Sequence, residues 1–99
     1  MKEIEDLAMT SGVYIMTNKI NGRRYIGYSE NIEYRFEDNR KVLQNGKFTP
    51  NNILLINDYQ QFGEEAFICG ILEVTVNNKS LMNQRVDYWK KIIQPEYNH

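Results

Sequence analysis

Two tyrosines carry the chemistry most visible in this chain. Gly12-Val-Tyr14 precedes the dipeptide Asn21-Gly22, and Tyr25-Ile-Gly27 follows it. An Asn-Gly between two runs of β-formers is a strong hairpin signal, because a type I′ turn needs positive φ at both central positions. Val13, Ile15 and Ile20 alternate with Tyr14 and Met16, as in a half-buried strand. Closing that hairpin brings both phenols to neighbouring strands, where they converge on one spot. Simple aromatic packing across a β-pair would place them the same way. Few other reactive groups stand out. Cys69 lies in an apolar strand without a partner for a disulfide or a metal site, so it reads as a buried small hydrophobe in a reducing compartment. His99 is the one histidine and the last residue, a poor place for a catalytic base.

The elements that must position these groups follow from punctuation and periodicity. Residues 12–18 and 23–28 form the hairpin. Ser29 offers an N-cap for a helix over 30–45 that ends at Asn45-Gly46. Thr49-Pro50 starts a second helix, with Ile53, Leu54, Ile56 and Tyr59 on its apolar side and a stop at Gly63. Phe67 to Val76 reads as the third strand and Asn77-Asn78 as a turn. Ser80 to Ile93 forms the last helix, with Leu81, Val86, Trp89, Ile92 and Ile93 broadly on its apolar side, and Pro95 ends it. The class is α/β (α+β), in the order ββααβα. Residues 1–11 form an acidic N-terminal arm, and 12–99 form a single domain.

With 99 residues, one small core is the limit. Twelve basic residues against 13 acidic give a net charge of −1, which does not predict the basic face a DNA-binding protein uses. No apolar run approaches the roughly 20 residues of a membrane span, so a cytoplasmic protein is expected.

The ordered motifs resemble the GIY-YIG nuclease superfamily, in its phage and intron-homing branch. Ser11-Gly-Val-Tyr-Ile15, Thr17-Asn-Lys-Ile-Asn-Gly-Arg-Arg-Tyr-Ile-Gly27 and Ser29-Glu-Asn-Ile-Glu-Tyr-Arg35 are similar to that branch's opening. Phe62 to Glu73 is similar to its third strand, Arg85-Val-Asp-Tyr-Trp89 to its last helix, and Pro95-Glu-Tyr-Asn98 to its closing turn. The resemblance implies a three-stranded antiparallel sheet flanked by helices. It implies that Tyr14 helps activate the attacking water, that Tyr25 positions the scissile phosphate, and that Arg35 stabilises charge building on it. Asn98 would brace the site, and Gly27 would keep the backbone clear where DNA approaches. The family's metal-binding glutamate falls at Val86, which offers no oxygen ligand, and the branch's histidine falls at Asn39.

Glu30, Glu33 and Glu37 recur at helical spacing, with Asp38 beside them. They form either a solvated face or an acidic contact face. Three functions are compatible with these features. The main expectation is a catalytically silent domain of phage or mobile-element origin, in a bacterial host cell. It would bind another protein, a nuclease or a nucleoprotein complex, to inhibit or regulate it or a host defence system, with no cofactor. The alternative is an active DNA endonuclease that uses Mg²⁺ with atypical ligation. The third is a binder of a small phosphorylated ligand, using Arg35 and the two phenols.

Overall fold

Three antiparallel strands and three α-helices make up residues 10–48 and 52–98, which the computed structural model describes. In chain order they are β1 (Gly12–Asn18), β2 (Arg24–Ser29), α1 (Ile32–Gln44), α2 (Ile53–Phe62), a short 3₁₀ turn (Glu64–Ala66), β3 (Phe67–Val74) and α3 (Lys79–Ile93). The order is ββααβα, as the motifs implied, and the strands lie β2-β1-β3.

Register decides what meets at the site. Tyr14 lies opposite Gly27, Met16 opposite Tyr25, and Ile15 opposite Ile26. Because side chains alternate along a strand, Tyr14, Met16, Tyr25 and Gly27 share one face while Val13, Ile15, Ile26 and Tyr28 share the other. On the first face, Met16 packs with Leu43 of α1, with Leu55, Ile56 and Tyr59 of α2, and with Phe48 and Tyr97. On the second, Val13 and Ile26 pack against Val86 of α3, flanked by Trp89 and Ile93. Each fully buried side chain such as Ile26 or Leu55 contributes roughly 1.5–3 kcal/mol. Leu72 is the extra residue where β3 bulges, between the partners of Val13 and Tyr14.

Several local expectations are corrected. The hairpin turn is not type I′, though its connection is the four residues Lys19 to Gly22 that the expected strands left between them, closed by Asn18 N–H donating to Arg23 O at 2.8 Å. Gly22 has φ 78°, but Asn21 does not adopt positive φ. Instead, Asn21 Oδ1 accepts from Arg23 N–H at 3.0 Å. The helix caps are asparagines. Asn31 accepts from Tyr34 N–H, Asn52 from Leu55 N–H and Asn78 from Leu81 N–H. Ser29 supports the first cap from outside, accepting from Asn31 N–H at 3.0 Å. Thr49 and Pro50 lie outside the described residues, as do most of the acidic arm and His99. The buried stripe of α3 runs through Met82 and Val86, while Leu81 and Ile92 face out. On α2, Leu55 is fully buried and Ile53 is exposed. Cys69 is only partly buried, and burial pushes its thiol pKa up.

The C-terminal segment covers the free edge of β2. Tyr97 N–H donates to Arg24 O at 3.0 Å, and the side chain of Asn98 bonds both the N–H and the C=O of Ile26, at 2.7 and 2.8 Å. An amide side chain therefore takes the place of a paired strand at that residue. Tyr97 is anchored in turn, donating its hydroxyl proton to Asp58 Oδ2 at 2.7 Å and accepting from Asn18 Nδ2 at 3.2 Å. Asp58 is buried and also takes bonds from Asn21 and Arg23.

Burial opposes ionisation of Asp58, but donation from Tyr97, Asn21 and Arg23 outweighs it and holds the carboxyl below its ordinary pKa. A depressed native pKa means the stabilisation is present above the unfolded value, ~3.9, and is lost as pH falls through the native one. Asp58→Ala is expected to cost about 2–3 kcal/mol in urea denaturation at pH 7, since the Tyr97 hydroxyl loses its acceptor. Asp58→Asn should flatten the acid limb of the stability curve; an unchanged acid limb would show that Asp58 does not contribute to it.

Candidate active site

Tyr14 is 3% exposed, and its ring lies across the backbone of Gly27 on the neighbouring strand. A Cβ built on Gly27 would stand 2.7 Å from the Tyr14 hydroxyl oxygen and 2.8 Å from Cζ, distances that no side chain tolerates. Gly27 is thus required by the phenol packed on it within the protein. That is a second reason for glycine beside the expected one, and Gly27 also borders the open depression. The other side of the ring is closed by Phe36 of α1, edge-on at 5.5 Å between centroids. Buried Asn39, one turn beyond Arg35, donates from Nδ2 to the Tyr14 hydroxyl at 3.2 Å.

Tyr25 stands beside Tyr14, ring centroids 6.3 Å apart, and is held edge-on by Phe48 at 5.3 Å. The hairpin therefore brings the two phenols together, as their spacing suggested. Burial, reinforced by the neighbouring phenol, drives the Tyr14 pKa well above its ordinary value, against the smaller opposing pull of Asn39 and Arg35. Burial likewise raises Tyr25, again against Arg35. Both are neutral hydroxyls at cellular pH. Arg35 reaches the same place from α1, with Nη1 3.1 Å from Asp38 Oδ2 and much of its guanidinium open to solvent.

These groups line one open depression of about 440 Å³, together with Asn39, Phe48, Val86 and Asn98. All four residues expected at the site, Tyr14, Tyr25, Arg35 and Asn98, border it. Phe36, Phe48 and the Asp38 brace escaped sequence reasoning. Of these, Asp38 alone had a local signal, its i, i+3 spacing from Arg35.

GIY-YIG nucleases typically use Mg²⁺, a hard cation that prefers carboxylate and water oxygens. The donor set here does not fit it. No carboxylate lines the depression among the described residues, and no cluster of three acidic, histidine or cysteine side chains exists among them. Val86 forms the wall where the family's glutamate was expected, packed on Val13 and Ile26. Asp87 and Asn83, its near neighbours on α3, are exposed and border no part of the depression. Glu73 is committed elsewhere, accepting from Arg85 Nε and from Trp89 Nε1 at 2.9 Å.

The acidic face is hydrogen-bonded within the chain, though only in part ion-paired. Glu33 accepts from Thr10 N–H and Oγ, Glu37 pairs with Arg40, Asp38 with Arg35, and Glu30 accepts from Asn77 at 3.3 Å. Each carboxylate has a hydrogen-bond donor within the chain, and Glu37 and Asp38 are in addition paired with a cation.

The chain belongs to the GIY-YIG family: the GIY-YIG catalytic domain matches residues 10–98. It is 30% identical over 90 residues to intron-associated endonuclease 1 of Enterobacteria phage T4, covering 91% of this chain and 36% of that one. This chain thus spans about a third of that relative. Among solved structures, a glutamate-to-alanine mutant of the catalytic domain of intron endonuclease I-TevI matches with a TM-score of 0.84 at 30% identity. The match covers 91% of this chain and 93% of that one. A second structure, of the catalytic domain of homing endonuclease I-TevI, matches with a TM-score of 0.80 at 28% identity, covering 89% and 92%. These matches overturn the expected silent binding domain that inhibits or regulates a nuclease or a defence system. The relatives are an endonuclease and catalytic domains of an endonuclease, and these matches do not support a protein partner. No helix among the described residues is long and apolar enough to cross a membrane.

Gly27→Ala is expected to displace the Tyr14 ring and destabilise the protein by roughly 1–3 kcal/mol, with the Tyr14 ring signals shifted in NMR spectra; an unperturbed ring would refute the packing argument. Val86→Glu should give a Mn²⁺ titration heat in DNA-free protein that the wild type lacks, and equal heats would show that another group supplies the ligand.

Proposed function

We propose that this chain is the DNA-cleaving catalytic domain of an endonuclease. The observation that carries this reading is the meeting of Tyr14, Tyr25 and Arg35 around one open depression, in a fold shared with nuclease catalytic domains. In phosphodiester hydrolysis, a water oxygen bonds to phosphorus and loses a proton to solvent. The bond to one deoxyribose oxygen breaks, and that oxygen leaves with the electron pair and takes a proton from solvent. Negative charge on the non-bridging oxygens rises on the way. Arg35 is suited to hold those oxygens, because a guanidinium presents a rigid fork of donors and stays charged. Its pairing with Asp38 fixes its stem before substrate arrives.

Tyr14 would position the water rather than take a proton outright, since burial keeps its phenol neutral. Asn39 occupies one lone pair of the Tyr14 oxygen, which leaves the hydroxyl proton and the other lone pair for substrate or water. Tyr25 offers a second neutral donor to the phosphate. Asn98 acts at one remove, holding the Ile26 peptide between Tyr25 and Gly27 in register. The T4 relative supports a bacterial host's cytoplasm as the place of action.

Supercoiled plasmid incubated with the protein in Mg²⁺, in Mn²⁺ and in EDTA should be nicked in at least one condition. Arg35→Ala should lower that rate about 100-fold or more, and Tyr14→Phe at least ~10-fold. Folded protein that leaves the plasmid intact in all three conditions would overturn the reading.

A further inference from the structure

A second depression of about 240 Å³ adjoins the one between the phenols, and Tyr28 and Arg35 belong to the walls of both. Its remaining polar wall comes from Ser29, Glu30, Asn77 and Lys79. Lys79 is the first residue of α3 and forms no ion pair with any described residue. Arg35 engages Asp38 through Nη1. Two cations, a hydroxyl and an amide thus border a groove that continues directly from the site.

A DNA strand carries one negative charge per nucleotide, so a strand with a phosphate at the phenols must place the next one to one side. We propose that this groove takes that flanking phosphate, held by Lys79 and shared with Arg35, and so sets the path of the cleaved strand. The inference rests on the endonuclease reading. The fifteen-residue helix α3 begins at Lys79, and its positive dipole end favours the same occupant. Glu30 opposes it. Its carboxylate borders the groove and is restrained by Asn77 at 3.3 Å. Opposite-sign effects at Lys79 and Glu30 are expected of any surface charges near a polyanion. Occupancy of the groove is therefore read from a loss at Lys79 that the same charge change at Lys91, outside the groove's lining, does not reproduce.

The test measures binding and cleavage separately. Fluorescence anisotropy of a labelled duplex, in EDTA across a salt series, gives affinity and its salt slope; plasmid nicking at saturating DNA gives the rate. Lys79→Gln should weaken binding about 3–10-fold and make the slope of log K against log salt shallower by about 0.9, one phosphate contact. Its nicking rate at saturating DNA should fall far less than that of Arg35→Ala. Glu30→Gln should tighten binding about 2–3-fold. Lys91→Gln, exposed in the last turn of α3, should change neither. If the wild type binds and nicks DNA while Lys79→Gln keeps the full salt slope, the flanking site falls and the endonuclease reading stands. If the wild type neither binds nor nicks, both fall together.

Discussion

The site depends on one cross-strand contact, the Tyr14 phenol lying flat over the α-carbon of Gly27. That contact works only in the observed register, with Tyr14 directly opposite Gly27. A slip by one residue would send Tyr14 to the face that packs on α3 and carry a bulky side chain opposite it. The phenol is enclosed by Phe36 and tied by Asn39, both from α1. Sheet register, the seating of α1 and the direction of Arg35 are thus parts of one arrangement.

Around that contact, the chain invests in asparagine. Asn31, Asn52 and Asn78 cap the three helices, Asn39 holds a phenol, and Asn98 completes the open edge of β2. An amide brings a donor and an acceptor on one short stem and carries no charge. It can satisfy backbone groups in the interior without the desolvation penalty of a carboxylate. Asp58 is the exception, and three donors surround its carboxylate.

The electrostatics of the site follow from this economy. Burial keeps both phenols neutral, and Arg35 is the cation that reaches them. The acidic residues of α1 do not oppose a polyanion as strongly as their count suggests. Glu37 and Asp38 are matched by Arg40 and Arg35 one turn away, whereas Glu33, bonded by the neutral Thr10, keeps its charge. A domain with net charge −1 can therefore present a locally cationic groove, because the field a ligand meets depends on which charges are already paired.

Much of this protein was legible in its residues. The strand and helix order and the convergence of Tyr14 and Tyr25 follow from periodicity and turn signals. The placing of Arg35, Asn98 and Val86 around one spot was implied by the resemblance to a family and not by the residues alone. What only the tertiary structure decided is local or long-range. The four-residue connection 19–22 was legible, but its expected type I′ geometry was not adopted, and Asn21 and Arg23 instead bond Asp58, far along the chain. Ser29 gave way to Asn31 as the cap, since its own hydroxyl serves the Asn31 N–H. A ring contributed by another strand gives Gly27 a packing requirement, and two carboxylates of the acidic stripe, Glu37 and Asp38, are ion-paired within the chain. Sequence spacing says which side chains can meet; which donor each carboxylate chooses is settled by packing, because partners distant in the chain compete for the same group.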